Sequence, residues 1–99
     1  MDNSDLSAAL SNRRRLQILD WLKSPSDHFT PQRDGDLIED GVCGQSLAEK
    51  LNINASTLSE HMRILVECDL VSARQIKQWT FYKRNEVGIQ TLNALVSRI

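Results

Sequence analysis

The chain lacks a hydrophobic run long enough to cross a bilayer, because none of its apolar stretches approaches the roughly 20 residues of a membrane-spanning helix. Its start, MDNSDLSAAL, is acidic and lacks the basic-then-apolar arrangement of a secretory signal. These absences predict a cytoplasmic protein. A length of 99 residues is enough for one domain with one core, so we expect a single domain over residues 1–99.

Cysteine is scarce, and neither Cys43 nor Cys68 belongs to a Cys-x-x-Cys pair. Two cysteines cannot make a disulfide framework, and a reducing cytoplasm predicts two free thiols. Cys68 lies among apolar neighbours and is expected in the core.

The sequence also lacks a catalytic constellation. No nucleophile, base and orienting residue stand at a recognisable spacing, and no phosphate-cradling loop is present. We therefore expect neither an enzyme nor a cofactor. One cluster of potential metal ligands is supported by sequence proximity alone, and a solvated acidic loop is the preferred interpretation, so no metal site is predicted. The cluster comprises Asp27, His28, Asp34, Asp36, Asp40 and Cys43.

A strong positive charge is missing as well, since the net charge is −1. This argues against nucleic-acid binding driven by charge alone. The distribution is uneven, because residues 1–41 contain five basic and eight acidic residues, whereas residues 42–99 contain seven basic and five acidic ones. A modest local patch in the second part would suffice for binding in a groove.

Two helices are predicted in the first quarter of the chain, over residues 4–10 and 13–23, the second capped by Ser11 or Asn12. The apolar face of the second helix is expected to consist of Leu16, Leu19 and Leu22, with Ile18 beside them.

Residues 24–42 follow, and they have no sustained period. This segment holds both prolines of the chain and two of its four glycines. An irregular segment of this length is usually either functional or disordered.

Helical patterns return at residues 44–51 and 55–67, separated by Asn52-Ile53-Asn54. Asn52 can adopt the left-handed conformation that a tight turn needs, and Asn54 is a plausible N-cap. The second of these helices buries one stripe at helical spacing. The stripe consists of Leu58, Met62, Leu65 and Val66.

Residues 70–75 and 79–83 are rich in β-branched and aromatic residues and are predicted to form a hairpin, joined by Ile76-Lys77-Gln78. The hairpin region spans residues 70–84. The last segment, 86–99, is predicted to be a helix with one apolar stripe. That stripe comprises Ile89, Leu92, Leu95, Val96 and Ile99.

Two helices joined by a tight turn, the second of them fronted by polar residues, and the hairpin that follows form a winged helix-turn-helix pattern. The sequence resembles the ArsR family of bacterial repressors, through LSNRRRLQILDWL, LAEKLNINASTLSEHMRILVECDLV and ARQIKQWTFYKRN. The resemblance implies a mainly α fold of about five helices with a two-stranded β-hairpin wing. It also implies a homodimeric DNA-binding repressor that recognises a palindromic operator.

Several positions depart from the family pattern. Asn52 and Lys77 stand where the turn and the wing tip of family members often have glycine, and Glu60 stands where the family frequently has a basic or neutral residue. Of the Cys-x-Cys of metal-sensing members only Cys43 is present, followed by Gln45. The last helix lacks the histidines of the family's other metal site.

The second motif helix carries small hydroxyl side chains at its start, on the side away from its leucines. A helix that only fills a core would gain more from Ala, Lys or Glu, whereas a groove-reading helix would place these hydroxyls at base edges. We expect DNA contacts from Ser56, Thr57, Ser59, Glu60, Arg63, Lys77 and Gln78, with Lys83 available beside them. Arg63 is a candidate for a phosphate rather than a base.

Two other polar features have competing interpretations. His61 lies beside the apolar face and is predicted to be half-buried and hydrogen-bonded rather than a sensor. The arginines of residues 13–15 are either a solvated helix start or a site for a phosphate or acidic partner.

A dimer is expected to use both ends of the chain, because the last stripe continues to the C-terminal residue. The predicted interface comprises Leu6, Leu10, Leu92, Leu95, Val96 and Ile99. We expect an effector or redox signal, if there is one, to enter through residues 24–43, with Cys43 near a helix N-terminus as its point of contact. The alternative function is a winged-helix protein–protein interaction module that does not bind DNA.

Overall fold

The computed structural model describes residues 3–99, and residues 1 and 2 of the predicted domain lie outside the described residues. The fold has five α-helices and three β-strands. Along the chain, two helices come first, followed by a short strand, two more helices, two strands and the fifth helix. The helices are α1 Asn3–Leu10, α2 Arg13–Lys23, α3 Gly44–Leu51, α4 Ala55–Glu67 and α5 Glu86–Ser97. The strands are β1 Val42–Cys43, β2 Val71–Ile76 and β3 Trp79–Arg84, and a short 3-10 helix, Pro25–Asp27, follows α2.

The winged helix-turn-helix fold expected from the sequence is confirmed. None of the described helices combines the length and the apolar character that crossing a membrane requires.

Asparagine side chains start three of the helices. Asn12, Asn54 and Asn85 each accept a hydrogen bond from a backbone N–H three residues further on, at 3.2, 2.8 and 3.3 Å. Such a cap satisfies one of the amide groups that the first helical turn leaves without an intrahelical partner. Of the two caps considered for α2, the structure therefore has Asn12.

The turn between α3 and α4 also has the expected conformation. Asn52 lies in the left-handed region, with φ 56°. Its backbone N–H closes the C-terminus of α3 on the carbonyls of Ala48 and Glu49. Asparagine tolerates this region better than most residues with a Cβ, which explains how the turn forms without glycine.

The hydrophobic core lies between α2, α3, α4 and the start of β2. Its fully buried large side chains include Ile18, Leu47, Met62, Leu65 and Leu70. The predicted apolar face of α2 was wrong in one member, because Leu16 is 50% exposed. At 100° per residue, Leu16 lies about 110° around the helix from the mean direction of Ile18, Leu19 and Leu22.

The sheet has one strand more than the predicted hairpin. Its order is β1-β3-β2 and both pairings are antiparallel, with Val42 opposite Tyr82 and Cys43 opposite Phe81. The hairpin loop is one residue shorter than expected, because Ile76 pairs with Trp79. Lys77 then lies in the left-handed region at the tip, with φ 57°.

The irregular segment between α2 and β1 is packed against the rest of the molecule. The Phe29 ring meets Trp21 edge to face, with 6.0 Å between centroids. The Lys50 ammonium of α3 lies 5.2 Å from the Trp21 centroid and 5.6 Å from that of Phe29. Gln32 donates to the carbonyls of Gly35 and Gly41 and accepts from the N–H of Cys43 at 2.7 Å. These contacts fix the course of the segment as far as the start of β1.

Candidate nucleic-acid interface

Helix α4 packs against the core through one face and exposes the other face to solvent. Leu58, Met62 and Leu65 are buried beneath it, while Ser56 and Ser59 are exposed. Thr57 is partly buried, and its N–H donates to the Asn54 cap. The first two turns therefore present small hydroxyl groups and a positive helix end to solvent, as a helix that enters the major groove requires.

Arg63, the candidate phosphate contact, is engaged on its own helix. Its guanidinium forms ion pairs with Glu60, three residues before it, and with Glu67, four residues after it at 2.8 Å. The carboxylates raise the pKa of Arg63, and the hydrogen bond from Arg63 lowers the pKa of Glu60. All three side chains are more than half exposed, so solvent screens the pairs and DNA could displace them at small cost.

Three basic side chains of the wing have partners in the segment before β1, whereas Arg84 pairs with Glu86. Lys77 Nζ lies 2.9 Å from Asp34 Oδ1, and Arg74 Nη1 lies 2.9 Å from Asp40 Oδ1. Lys83 Nζ lies 3.5 Å from the carbonyl oxygen of Glu39, and Gln78 is exposed. Sequence reasoning did not select Arg74, because its partner stands 34 residues earlier and no local pattern connects the two.

His61 and Arg15 form a contact behind α4. Arg15 Nη1 lies 3.0 Å from His61 Nδ1, and its other nitrogens donate to the carbonyls of Ala8 and Ala9 at the end of α1. A guanidinium can only donate, so His61 Nδ1 accepts and Nε2 carries the proton. The hydrogen bond expected of His61 is present, and at 8% exposure the ring is more deeply buried than predicted.

This contact changes the interpretation of the arginine run. Arg13 and Arg14 are exposed, whereas Arg15 satisfies helix-end carbonyls inside the fold. Desolvation, followed by the charges of Arg15 and Arg14, lowers the pKa of His61.

A mainly apolar groove of about 260 Å³ lies between α1 and α5, lined by Leu6 of α1, by residues 68–70 just after α4 and by one side of α5. Leu6, Leu92 and Leu95 line it and are partly buried. Of the other residues expected at a dimer interface, Leu10 is partly buried, Val96 is 58% exposed and Ile99 is fully exposed.

The two cysteines differ in their surroundings. Cys68 is buried in the core, as expected, and burial raises the pKa of its thiol. Cys43 is partly buried and occupies the N-cap position of α3 without a side-chain cap hydrogen bond.

Three of the acidic residues considered as metal ligands, Asp34, Asp36 and Asp40, serve other contacts. Asp36 accepts from the N–H groups of Glu39 and Ile38, which lowers the pKa of its carboxyl group. Asp34 and Asp40 pair with the wing. Within residues 3–99, no three side chains of His, Cys, Asp or Glu come together as a metal site.

The chain is similar to known regulators in sequence and in structure. Residues 37–73 match the family described as bacterial regulatory protein, arsR family. The uncharacterized HTH-type transcriptional regulator YbzH of Bacillus subtilis is 41% identical over 92 residues, which cover 93% of this chain and 92% of YbzH.

Two solved structures show the same fold. HlyU from Vibrio cholerae superposes with a TM-score of 0.63 at 26% identity, covering 99% of this chain and 96% of HlyU. The homodimeric winged helix-turn-helix DNA-binding domain of Mb0332 from Mycobacterium bovis gives a TM-score of 0.65 at 28% identity, covering 95% of this chain and 73% of that domain. The chain therefore belongs to the arsR family of bacterial regulatory proteins, and it is a DNA-binding winged-helix transcriptional regulator rather than an enzyme.

Proposed function

We propose that the protein is a homodimeric cytoplasmic repressor that places one α4 in each of two successive major grooves of a palindromic operator. The observation that carries this proposal is the division of α4 into a buried leucine face and an open N-terminal face of small hydroxyl side chains. Two-fold symmetry of the protein would then be matched by two-fold symmetry of the operator, with half-sites about one helical turn apart.

Base recognition is assigned to the open face of α4. Ser56, Thr57 and Ser59 can donate to or accept from base edges, and Glu60 can accept from the amino group of cytosine. Arg63 is assigned to a phosphate, which requires it to leave Glu60 and Glu67. Gln78 and Lys77 are assigned to the backbone beside the flanking minor groove.

The groove between α1 and α5 supports the dimer. Apolar side chains from both ends of the chain line it, and Val96 and Ile99, which do not line the groove, are further exposed apolar side chains near the C-terminal end. A second copy would cover this surface. The homodimeric state of the Mb0332 domain, which has the same fold, adds support.

Selection of bound duplexes from a random-sequence pool tests the function. We expect enrichment of an inverted repeat by the wild-type protein, and a broader set of sequences for the double variant Thr57→Ala, Ser59→Ala. Ser26→Ala, which removes an exposed hydroxyl far along the chain from α4, should select the same repeat as the wild type. Equal affinity for every duplex would contradict the repressor and favour the alternative, a protein-interaction module.

A signal to this repressor is proposed to enter through residues 24–43. Cys43 supports this location, because its N–H is bound by Gln32 of that segment and it stands directly before the first helix of the motif. Modification of its thiol would disturb the start of α3. Operator binding by wild type and Cys43→Ser should then differ under oxidising, zinc or arsenite conditions, and identical binding in all of them would exclude Cys43 as the sensor.

A further inference from the structure

The segment before β1 lies along the wing. Residues 34–40, here termed the acidic segment, contain four carboxylates. Two of them, Asp34 and Asp40, pair with Lys77 and Arg74 at 2.9 Å. The acidic segment is thus on the same surface as the basic residues that the wing would offer to DNA.

The packing explains why the two partners meet. Arg74 and Phe81 are cross-strand neighbours, so their side chains share one face of the sheet. Gly35 lies against the Phe81 ring on that face, so closely that a Cβ at Gly35 would come within 2.7 Å of Phe81 Cε1. Only glycine allows the backbone of the acidic segment this approach, which brings its carboxylates over the wing.

The carboxylates are less exposed than the cations they pair with. Asp40 also accepts from the N–H of Asp36 at 2.8 Å, and Gln32 clamps the carbonyls of Gly35 and Gly41. The side chains of Asp34 and Asp40 are 21% and 20% exposed, against 67% and 65% for Lys77 and Arg74. A long, exposed cation can therefore leave its partner without unfolding the segment.

Stabilisation of the fold is a weak explanation for these pairs. Ion pairs with an exposed member contribute little to the free energy of unfolding because solvent screens them. Their effect on DNA binding is expected to be larger than their effect on stability. The wing has few cations that could neutralise a phosphate, and each pair occupies one of them.

We infer that the acidic segment competes with DNA phosphates for Lys77 and Arg74, so that these two cations are neutralised internally until DNA displaces the carboxylates. This inference rests on the proposed DNA binding. This competition lowers the affinity of the protein for duplexes of arbitrary sequence, because a non-specific complex depends mainly on phosphate contacts. An operator that also satisfies α4 can offset the cost of opening the two pairs.

The test uses the full chain with Asp34→Asn and Asp40→Asn together. Asparagine keeps an oxygen that can accept from the N–H of Asp36, so the segment should stay folded, which thermal unfolding would verify. The control, Asp20→Asn with Asp27→Asn, removes the same charge from two exposed residues that have no ion pair among the described contacts. Affinity for a non-operator 20-base-pair duplex is measured by fluorescence anisotropy over a series of salt concentrations.

We expect the Asp34/Asp40 variant to bind at least about fivefold more tightly than the wild type at low salt, with the gain shrinking as salt rises, because salt screens the internal pairs too. The control should gain less. In addition, Lys77→Gln should lose more affinity in the Asp34/Asp40 background than in the wild type, since the lysine there contacts phosphate without first leaving a partner.

Each other outcome has a defined meaning. Equal affinities of wild type and variant, or an equal gain in the control, would overturn the competition while leaving DNA binding intact. If neither protein binds any duplex, the proposed function fails and the competition fails with it. Should the double variant unfold, Asp34→Asn alone replaces it, because no other described contact uses that carboxylate, and unchanged affinity would again refute the inference.

Discussion

Arg15 joins three helices through one guanidinium. It stands on α2, satisfies two carbonyls at the end of α1 and donates to His61 on α4. Because α1 belongs to the proposed dimer surface and α4 to the proposed DNA surface, the two surfaces share this one hydrogen-bonded centre. The centre depends on a neutral imidazole, since a protonated His61 could not accept from Arg15.

The burial of His61 predicts a pH-dependent stability. Desolvation and the charges of Arg15 and Arg14 lower its pKa in the native state. The unfolded chain takes up the proton first, near pH 6.5, so the free energy of unfolding falls as the pH drops below about 6.5. The loss levels off once the pH lies below the native pKa.

Urea denaturation between pH 7.5 and 5.5 measures this effect. His61→Gln keeps an oxygen that can accept from Arg15 and cannot titrate, so the variant should show a flatter pH dependence than the wild type. His28→Gln, which replaces the other histidine of the chain, should retain the dependence. A wild type equally stable at both ends of the range, or an unchanged slope in His61→Gln, would contradict the prediction.

At the scale of elements, the position of α5 depends on a close approach between backbones. A Cβ at Gly88, in the first turn of α5, would overlap the carbonyl oxygen of Asp69 just after α4. Asn85 and Glu86 begin the helix beside this contact. The absence of a side chain at one residue therefore sets how near the last helix lies to the end of α4.

Gly88→Ala should reverse the usual effect of this substitution. Within a helix, glycine to alanine normally stabilises by about 1 kcal/mol, because the unfolded chain loses freedom. Here the added methyl must move α5, and we expect a destabilisation of about 1 to 3 kcal/mol, typical of overpacking. Thr91→Ala, an exposed position on the same helix, is the control and should not destabilise. Urea denaturation decides, and a more stable Gly88→Ala protein would exclude the close approach.

At the scale of the whole molecule, the apolar surface of α1 and α5 predicts the dimer. Leu92→Glu puts a charge into the groove between the two helices. Burying that charge in an interface without a partner is unfavourable, so the dimer should dissociate. Light scattering should give twice 11.3 kDa for the wild type and 11.3 kDa for the variant. Operator binding should be lost together with the dimer.

Gln90→Glu is the matched control for the dimer. It introduces the same charge on the same helix, about 160° around the axis from Leu92. This variant should remain dimeric and bind the operator. A wild-type protein that is monomeric and still binds at full strength would refute the dimer, whereas a Leu92→Glu dimer would refute only the assigned interface.

The sequence by itself determined the order and nature of most elements. Apolar periods, asparagine caps and turn residues act over three to eight positions, so the five helices, the Asn52 turn and the hairpin could be predicted from local patterns. The polar face of α4 could be predicted for the same reason, because the spacing of residues along the chain determines on which side of a helix each side chain lies. The DNA contacts assigned to that face remain a prediction.

Only the tertiary structure decided which distant groups meet. Strand β1 has two residues, too few for a period, and exists because β3 offers it an edge. The contact between Arg15 and His61 spans 46 positions, and that between Lys77 and Asp34 spans 43. Leu16 is apolar yet exposed, since packing selects the buried side of α2. Such contacts depend on how the elements pack in space, and neither the residues nor their spacing along the chain encode that geometry locally.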